Sequence, residues 1–200
     1  MSRIKPNDDQ LLEVVRPAAR RDPEAVGRLF ALLLPRVRNL VRYLVRGDHD
    51  VDDLSQDALV MILRGLSGYR GEGSFMSWTD RIVARSVFAS LKRRSQAKAV
   101  PWDPGQLGLL ASSTGVSGSN FVVRRQLVAL LDQLPQEQRV TLVLRHVLGL
   151  TLKETAVETG VPEETARSRL RLAKARLRGL LQEDIGPAAT PSPGTRQMVG

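Results

Sequence analysis

Apolar residues recur along this chain at mixed spacings of three and four, the period of a helix with one buried face. Residues 23–46 carry Val26, Leu29, Phe30, Leu33, Val37, Leu40, Val41 and Leu44 on one such face, with Pro35 expected to kink the helix or divide it in two. Gly47 to Asp50 form a polar break, and the pattern resumes from Asp52 to about Leu66 with Leu54, Ala58, Met61, Ile62 and Gly65 on a shared face. Gly68, Gly71 and Gly73 then mark a loop. A further helix over Ser77–Arg94 places Trp78, Ile82, Arg85 and Ala89 in a row, with Val83 and Val87 beside it. This half predicts a bundle of three or four helices.

The pattern lapses between Ala99 and Asn120. PWDPGQLGLLASSTGVSGSN holds two Pro, four Gly, four Ser and a single charged residue, Asp103, which is the composition of a linker. Helical periodicity returns over 121–183. Val123, Leu127, Leu130 and Leu131 lead to Leu134-Pro135, and Arg139, Leu142, Val143 and Val147 carry a second helix to Gly149. Thr151 and Glu154 form a capping-box pattern at the head of a short third helix. Gly160 supplies a turn, Pro162 suits the first turn of a fourth helix, and Ala166, Leu170, Ala173 and Leu177 give that helix its apolar row. A short helix, a glycine turn and a longer helix form a helix-turn-helix pattern.

The expected fold is therefore all-α: two small helical domains on a flexible linker, the second a four-helix domain containing the helix-turn-helix. The boundaries read as an N-terminal extension over 1–21, a first domain over 22–98, the linker over 99–120, a second domain over 121–183 and a disordered tail over 184–200. Aromatic residues make up only 4% of the chain, so Leu, Val, Ile and Ala must build both cores.

Lys and Arg number 30 against 21 Asp and Glu, a formal charge of +9 that favours a polyanionic partner. The chain has no Cys and only two His, which argues against disulfides, thiolate metal sites and multi-histidine centres; no metal and no cofactor are expected. The N-terminus lacks a basic segment leading into a long apolar core, and no stretch approaches the roughly 18 apolar residues of a membrane span, so a cytoplasmic protein is expected.

The positive charge is concentrated. Arg167, Arg169, Arg171, Lys174, Arg176 and Arg178 place six basic and no acidic side chains in twelve positions just after the helix-turn-helix start. A solvated face would look the same, but the preceding turn orients this helix for a DNA major groove about 12 Å wide. Thr165, Arg167, Ser168 and Arg171 are candidates for base edges, Arg169 for either role, and Lys174, Arg176 and Arg178 for phosphates.

A second basic run, Arg81, Arg85, Lys92, Arg93, Arg94 and Lys98, follows the loop holding Tyr69, Phe75 and Trp78. Rings beside basic side chains can take unstacked bases, although Trp78 fits a core anchor better. Asp48, Asp50, Asp52, Asp53 and Asp57 lie within ten residues. They suit helix capping, a divalent metal site in a nucleic-acid enzyme, or a protein-docking surface that adds Gln56 and Leu54.

The order and spacing of DDLSQDALV (52–60), YRGEGSFMSW (69–78), DRI (80–82), KRR (92–94) and LDQLPQEQRVTLVLRHVLGLTLKETAVETGVPEETARSRLRLAKARLR (131–178) resemble the two domains of extracytoplasmic-function sigma factors of the sigma-70 family. The resemblance covers about residues 22–183. It implies a non-enzymatic factor that docks on the clamp-helix coiled coil of bacterial core RNA polymerase through Asp53, Leu54, Gln56 and Asp57. It implies minus 10 contacts through Tyr69, Glu72, Ser74, Phe75, Trp78, Arg81, Arg85, Lys92 and Arg93, with a base flipped into the loop. It implies minus 35 contacts through Thr165, Arg167, Ser168, Arg169 and Arg171, an anti-sigma protein as a further partner, and no need for a stable homo-oligomer. The chain departs from the family pattern at Arg85, where Asn is common, at Ala89, where Asp is common, and at Leu172, where Arg is common. A helix-turn-helix regulator that acts without core polymerase is the competing expectation.

Overall fold

The computed structural model describes residues 8–97 and 118–184, which are helical throughout apart from short turns. The expected linker, save for Gly118 to Asn120, and the tail beyond Asp184 lie outside the described residues. The first unit comprises α1 (Asp8–Ala19), α2 (Pro23–Leu44), α3 (Val51–Gly65), a 3-10 turn (Leu66–Gly68) and α4 (Phe75–Ala97). The second comprises α5 (Gly118–Asp132), α6 (Gln136–His146), α7 (Leu152–Thr159) and α8 (Glu163–Asp184).

Local sequence explains where these helices begin. Asp22 accepts a hydrogen bond from the Ala25 amide at 3.0 Å and Pro23 occupies the first helical position, so α2 starts capped and with one fewer orphan donor. The helix then continues for 22 residues through Pro35 rather than dividing there. Leu33 and Val37, one on each side of the proline, are both buried, and that packing holds the helical course where the Pro35 nitrogen cannot donate. Leu29, Leu33, Val41 and Leu44 are fully buried, each contributing roughly 1.5–3 kcal/mol through lost apolar exposure.

The segment read as an N-terminal extension holds α1, whose Leu11, Val15 and Ala18 join the same core. In α4 the buried row is Thr79, Val83, Ala84, Val87 and Ser90, so the face lies about one residue round from the row through Trp78, Ile82, Arg85 and Ala89. Arg85 and Ala89 are exposed. In α5 the expected row is buried only at its end: Leu131 is 1% exposed while Val123 is 65% exposed. Val147, expected on the buried face of α6, is likewise exposed.

The two units are packed together. One apolar cluster runs from Leu11 through Val87 and continues into Leu131, Leu134, Val140, Val143, Leu144, Leu150 and Ala173 of the second unit.

Candidate nucleic-acid interface

The helix-turn-helix is built by local rules. Thr151 Oγ1 accepts from the Glu154 amide at 3.1 Å and the Glu154 carboxylate accepts from the Thr151 amide at 2.8 Å, so two of the orphan donors at the head of α7 are satisfied. The Thr151 amide and the Thr151 hydroxyl, which donates at 2.9 Å, together hold the Glu154 carboxyl below its ordinary range. Gly160 ends α7 in the left-handed region at φ +66°, where a side chain would be strained. Ala166 and Ala173 are fully buried, and their small size seats α8 closely on α6 and α7.

That seating fixes what α8 shows to solvent. Arg167, Ser168, Arg171, Lys174, Arg176 and Arg178 are exposed, as is Leu172, and Thr165 is half-buried at the helix start. Arg167 is held by Glu163 at 3.3 Å and Glu164 at 3.2 Å, exposed intrahelical pairs that a phosphate or base edge can replace at little cost. Arg169 turns the other way, toward Glu137 of α6 at 3.1 Å, and its side chain is only 24% exposed. It therefore stands apart from the free face on which the other basic groups lie.

In the first unit, Tyr69, Phe75 and Trp78 form a triangle with ring centroids 5.1, 5.2 and 5.5 Å apart. The Tyr69 hydroxyl donates to the Gly73 carbonyl at 2.9 Å, and Gly71 and Gly73 both have positive φ, so the loop folds back on its own aromatic ring. Phe75 is 1% exposed and acts as the floor of the triangle, whereas Trp78 is half-buried and Glu72 is exposed. Sequence reasoning missed the anchor beneath: Arg36 of α2 grips Asp80 with two hydrogen bonds of 2.8 and 2.6 Å, tying the first turns of α4 to the bundle. Pairing across 44 positions leaves no local signal.

The first two members of the basic run on α4 are engaged from the second unit. Arg85 donates to the Glu158 carboxylate of α7 through contacts of 3.1, 2.9 and 2.5 Å, and Arg81 meets Glu154 at 3.4 Å. Lys92 and Arg93 remain exposed, Arg93 donating to Ser90 at 3.0 Å, and Arg94 pairs with Asp50.

The aspartate cluster is mostly neutralised by arginine. Asp48 pairs with Arg42 at 2.5 Å and Asp52 with Arg38 at 2.7 Å. Burial raises the Asp50 pKa, but hydrogen bonds from Arg94 and His49 outweigh it and leave the carboxyl below its ordinary range. Among the described residues no group of three or more potential ligands could hold a metal ion. Asp53, Gln56 and Asp57 stay exposed on α3 beside the exposed apolar residues Val60 and Met61, while Leu54 is 2% exposed and supports this face from beneath. Phe30, Leu34, Arg38, Asp52, Gln56 and Leu59 line a shallow groove where α2 meets α3.

Comparison with known proteins assigns both units. Residues 29–97 match the family described as Sigma-70 region 2, and residues 124–177 match Sigma-70, region 4. The ECF RNA polymerase sigma factor SigM of Mycobacterium tuberculosis is 35% identical over 161 residues, covering 80% of this chain and 79% of the relative. The ECF RNA polymerase sigma-E factor of Escherichia coli is 28% identical over 173 residues, covering 81% and 88%. Two solved structures share the fold: CnrH in complex with the cytosolic domain of CnrY (TM-score 0.51, 21% identity, 89% of this chain and 99% of that one) and the sigma factor RpoE in complex with the anti-sigma factor NepR from Bartonella quintana (TM-score 0.53, 19% identity, 78% and 95%). With two family regions in order on one chain and a relative of this identity along most of both lengths, the chain belongs to the ECF RNA polymerase sigma factors of the sigma-70 family.

Proposed function

We propose that this protein is a transcription initiation factor that binds bacterial core RNA polymerase, reads the minus 35 and minus 10 elements of promoters and promotes DNA melting. The observation that carries the reading is the pair of family regions, each with a free face suited to its task. On α3, Asp53, Gln56 and Asp57 beside exposed Val60 and Met61 offer charge and apolar area to a protein partner, with Leu54 positioning them from the core.

On α8, Thr165, Arg167, Ser168 and Arg171 are assigned to base edges and nearby backbone, and Lys174, Arg176 and Arg178 to phosphates. Arg169, tied to Glu137, is assigned a supporting role. In the first unit, Tyr69, Glu72, Ser74 and Trp78 would line the pocket for an unstacked base, with Phe75 as its floor. Arg81, Arg85, Lys92 and Arg93 would track the melted strand. Residues 22–98 thus serve polymerase and minus 10 binding, residues 121–183 serve minus 35 binding, and 99–120 join them. The protein acts in the cytoplasm by binding alone, without turnover and without a stable homo-oligomer, and an anti-sigma protein covering its docking faces would hold it inactive.

The experiment is size-exclusion chromatography of the purified chain with core polymerase, followed by core-dependent transcription from linear promoter DNA. Co-elution and core-dependent opening are expected. Failure to co-elute across several salt concentrations, with both components folded, refutes the polymerase assignment. DNA binding that persists without core dependence would identify a free-standing regulator.

A further inference from the structure

The second unit presents three donors to carbonyl groups of the first unit that a helix cannot satisfy by itself. The last carbonyls of α2 lack intrahelical partners. Those of Arg42 and Tyr43 accept from the Arg139 guanidinium of α6 at 2.6 and 2.7 Å, and that of Leu44 accepts from the Gln136 side-chain Nε2 at 2.6 Å. The exchange is reciprocal, because Arg46 of the first unit donates to the carbonyl of Asp132, the last residue of α5, at 2.9 Å. The Asp132 carboxylate is shared between Arg42 of the first unit and Arg139 of the second, each at 2.5 Å. Arg139 is 0% exposed and closes this seam beside buried Leu131 and Leu134.

A second seam lies on the face proposed to meet DNA. Glu158, its side chain 15% exposed, takes Arg85 in a bidentate pair, and Glu154 takes Arg81. We propose that the start of α6 and the outer face of α7 form a docking surface whose partner is the first unit of the same chain, and that this closed state competes with melted promoter DNA for Arg81 and Arg85.

The chemistry suits a reversible contact. When the units part, the α2 carbonyls, Arg85 and Arg139 regain water, so the polar bonds between the units contribute much less than their number suggests. The apolar contribution is confined to a few leucines and valines, which leaves the closed state only modestly favoured. The closure is also selective. The outer residues of α8 and the Asp53–Asp57 face of α3 remain exposed, so duplex DNA and a protein partner can engage the closed chain while its melted-strand contacts are withheld. The DNA half of this inference rests on the function proposed above; the docking half does not.

The chain contains no Cys, so Glu24→Cys and Gln182→Cys, both at exposed positions, create the only thiols for a donor and acceptor dye pair. Energy transfer in the full chain is expected to fall on adding single-stranded oligo(dT). Glu158→Arg should lower transfer and tighten oligo(dT) binding about five- to tenfold, the population shift that loss of one partly shielded ion pair supports. Tighter binding alone could reflect the added positive charge, so the deciding variant combines Arg85→Glu with Glu158→Arg. It keeps the net charge and should restore the transfer of the unsubstituted dye-labelled chain. Unchanged transfer in Glu158→Arg, or failure of the double variant to recover, overturns the docking surface. Core co-elution is measured on the same samples. Holoenzyme that forms while transfer ignores Glu158 refutes the closure alone, and transfer that responds as expected in a chain that never binds core refutes the polymerase assignment alone.

Discussion

Replacing Arg139 by methionine keeps the bulk of the side chain and removes three hydrogen bonds at once, to Asp132 at 2.5 Å, Arg42 at 2.6 Å and Tyr43 at 2.7 Å. Removing one partner from a buried ion pair costs roughly 3–5 kcal/mol, because the remaining charge stays buried without compensation. Here Asp132 retains Arg42 and is 25% exposed, which places the loss at the lower end, about 3 kcal/mol. Burial pulls the Arg139 pKa below its ordinary value against the attraction of Asp132, so the site already carries a desolvation cost that methionine relieves. That relief is another reason to expect the lower figure. A loss of this size corresponds to a fall in melting temperature of about 10 °C for a chain of this length. Arg139→Lys keeps the charge but reaches one acceptor where the planar fork reaches three, and should lose most of the same stability. Urea denaturation followed by circular dichroism, with thermal melting alongside, measures both variants. If Arg139→Met lies within about 1 kcal/mol of wild type, the buried guanidinium is not the keystone that its bonds imply.

On α8, Arg167→Ala or Arg171→Ala should weaken binding by roughly 1–3 kcal/mol with loss of discrimination at particular upstream bases. Arg176→Ala or Arg178→Ala should weaken matched and altered promoters alike and reduce the salt slope, and quantitative binding that shows the two patterns reversed refutes the assignment. Glu72→Ala with Ser74→Ala, leaving the buried Phe75 intact, should preserve core binding and upstream attachment yet open linear DNA poorly and recover on a premelted bubble. Permanganate reactivity of thymines reads this, and wild-type opening by the folded variant would make the loop a mere connection. Phe75→Ala should instead unfold or loosen the first unit by roughly 3–5 kcal/mol, visible in thermal melting before any DNA is added. For Asp132, burial raises the pKa but hydrogen bonds from Arg42 and Arg139 outweigh it, so the folded value lies below the unfolded value of about 3.9. Its stabilisation is then complete above that pH and is lost as the pH falls through the folded value. Stability titrated downward should drop more steeply below about pH 4 in wild type than in Asp132→Asn.

Much of this protein is legible in its sequence, for a local reason. Helix periodicity, the Thr151–Glu154 capping box, the Gly160 turn and the Ala166–Leu170–Ala173–Leu177 row are interactions between residues four or fewer positions apart, so the linear pattern carries them directly. The exposed basic face of α8 followed from the same arithmetic. Readings that depended on what packs from elsewhere fared differently. Arg169 looked like its neighbours in sequence but is drawn to Glu137, and Leu54 and Phe75 sat inside binding motifs yet belong to the core. The α4 row was placed one residue away because Arg85 and Ala89 lie along its edge, and only contact with α2 and α3 fixes which flank turns inward. Of the two outcomes open at Pro35, a kink or a division, division does not occur, because packing on both sides keeps the helix continuous. The pairs Arg36–Asp80, Arg42–Asp132, Arg85–Glu158 and Arg139 with the end of α2 join residues far apart in the chain, where no spacing rule reaches. Sequence alone therefore determined the helices, their order and the chemistry of their free faces, because those are set by neighbours along the chain. Which arginines remain available to DNA and which are spent holding the units together was decided by tertiary structure, since a charge is assigned to whichever partner folding brings within hydrogen-bonding distance.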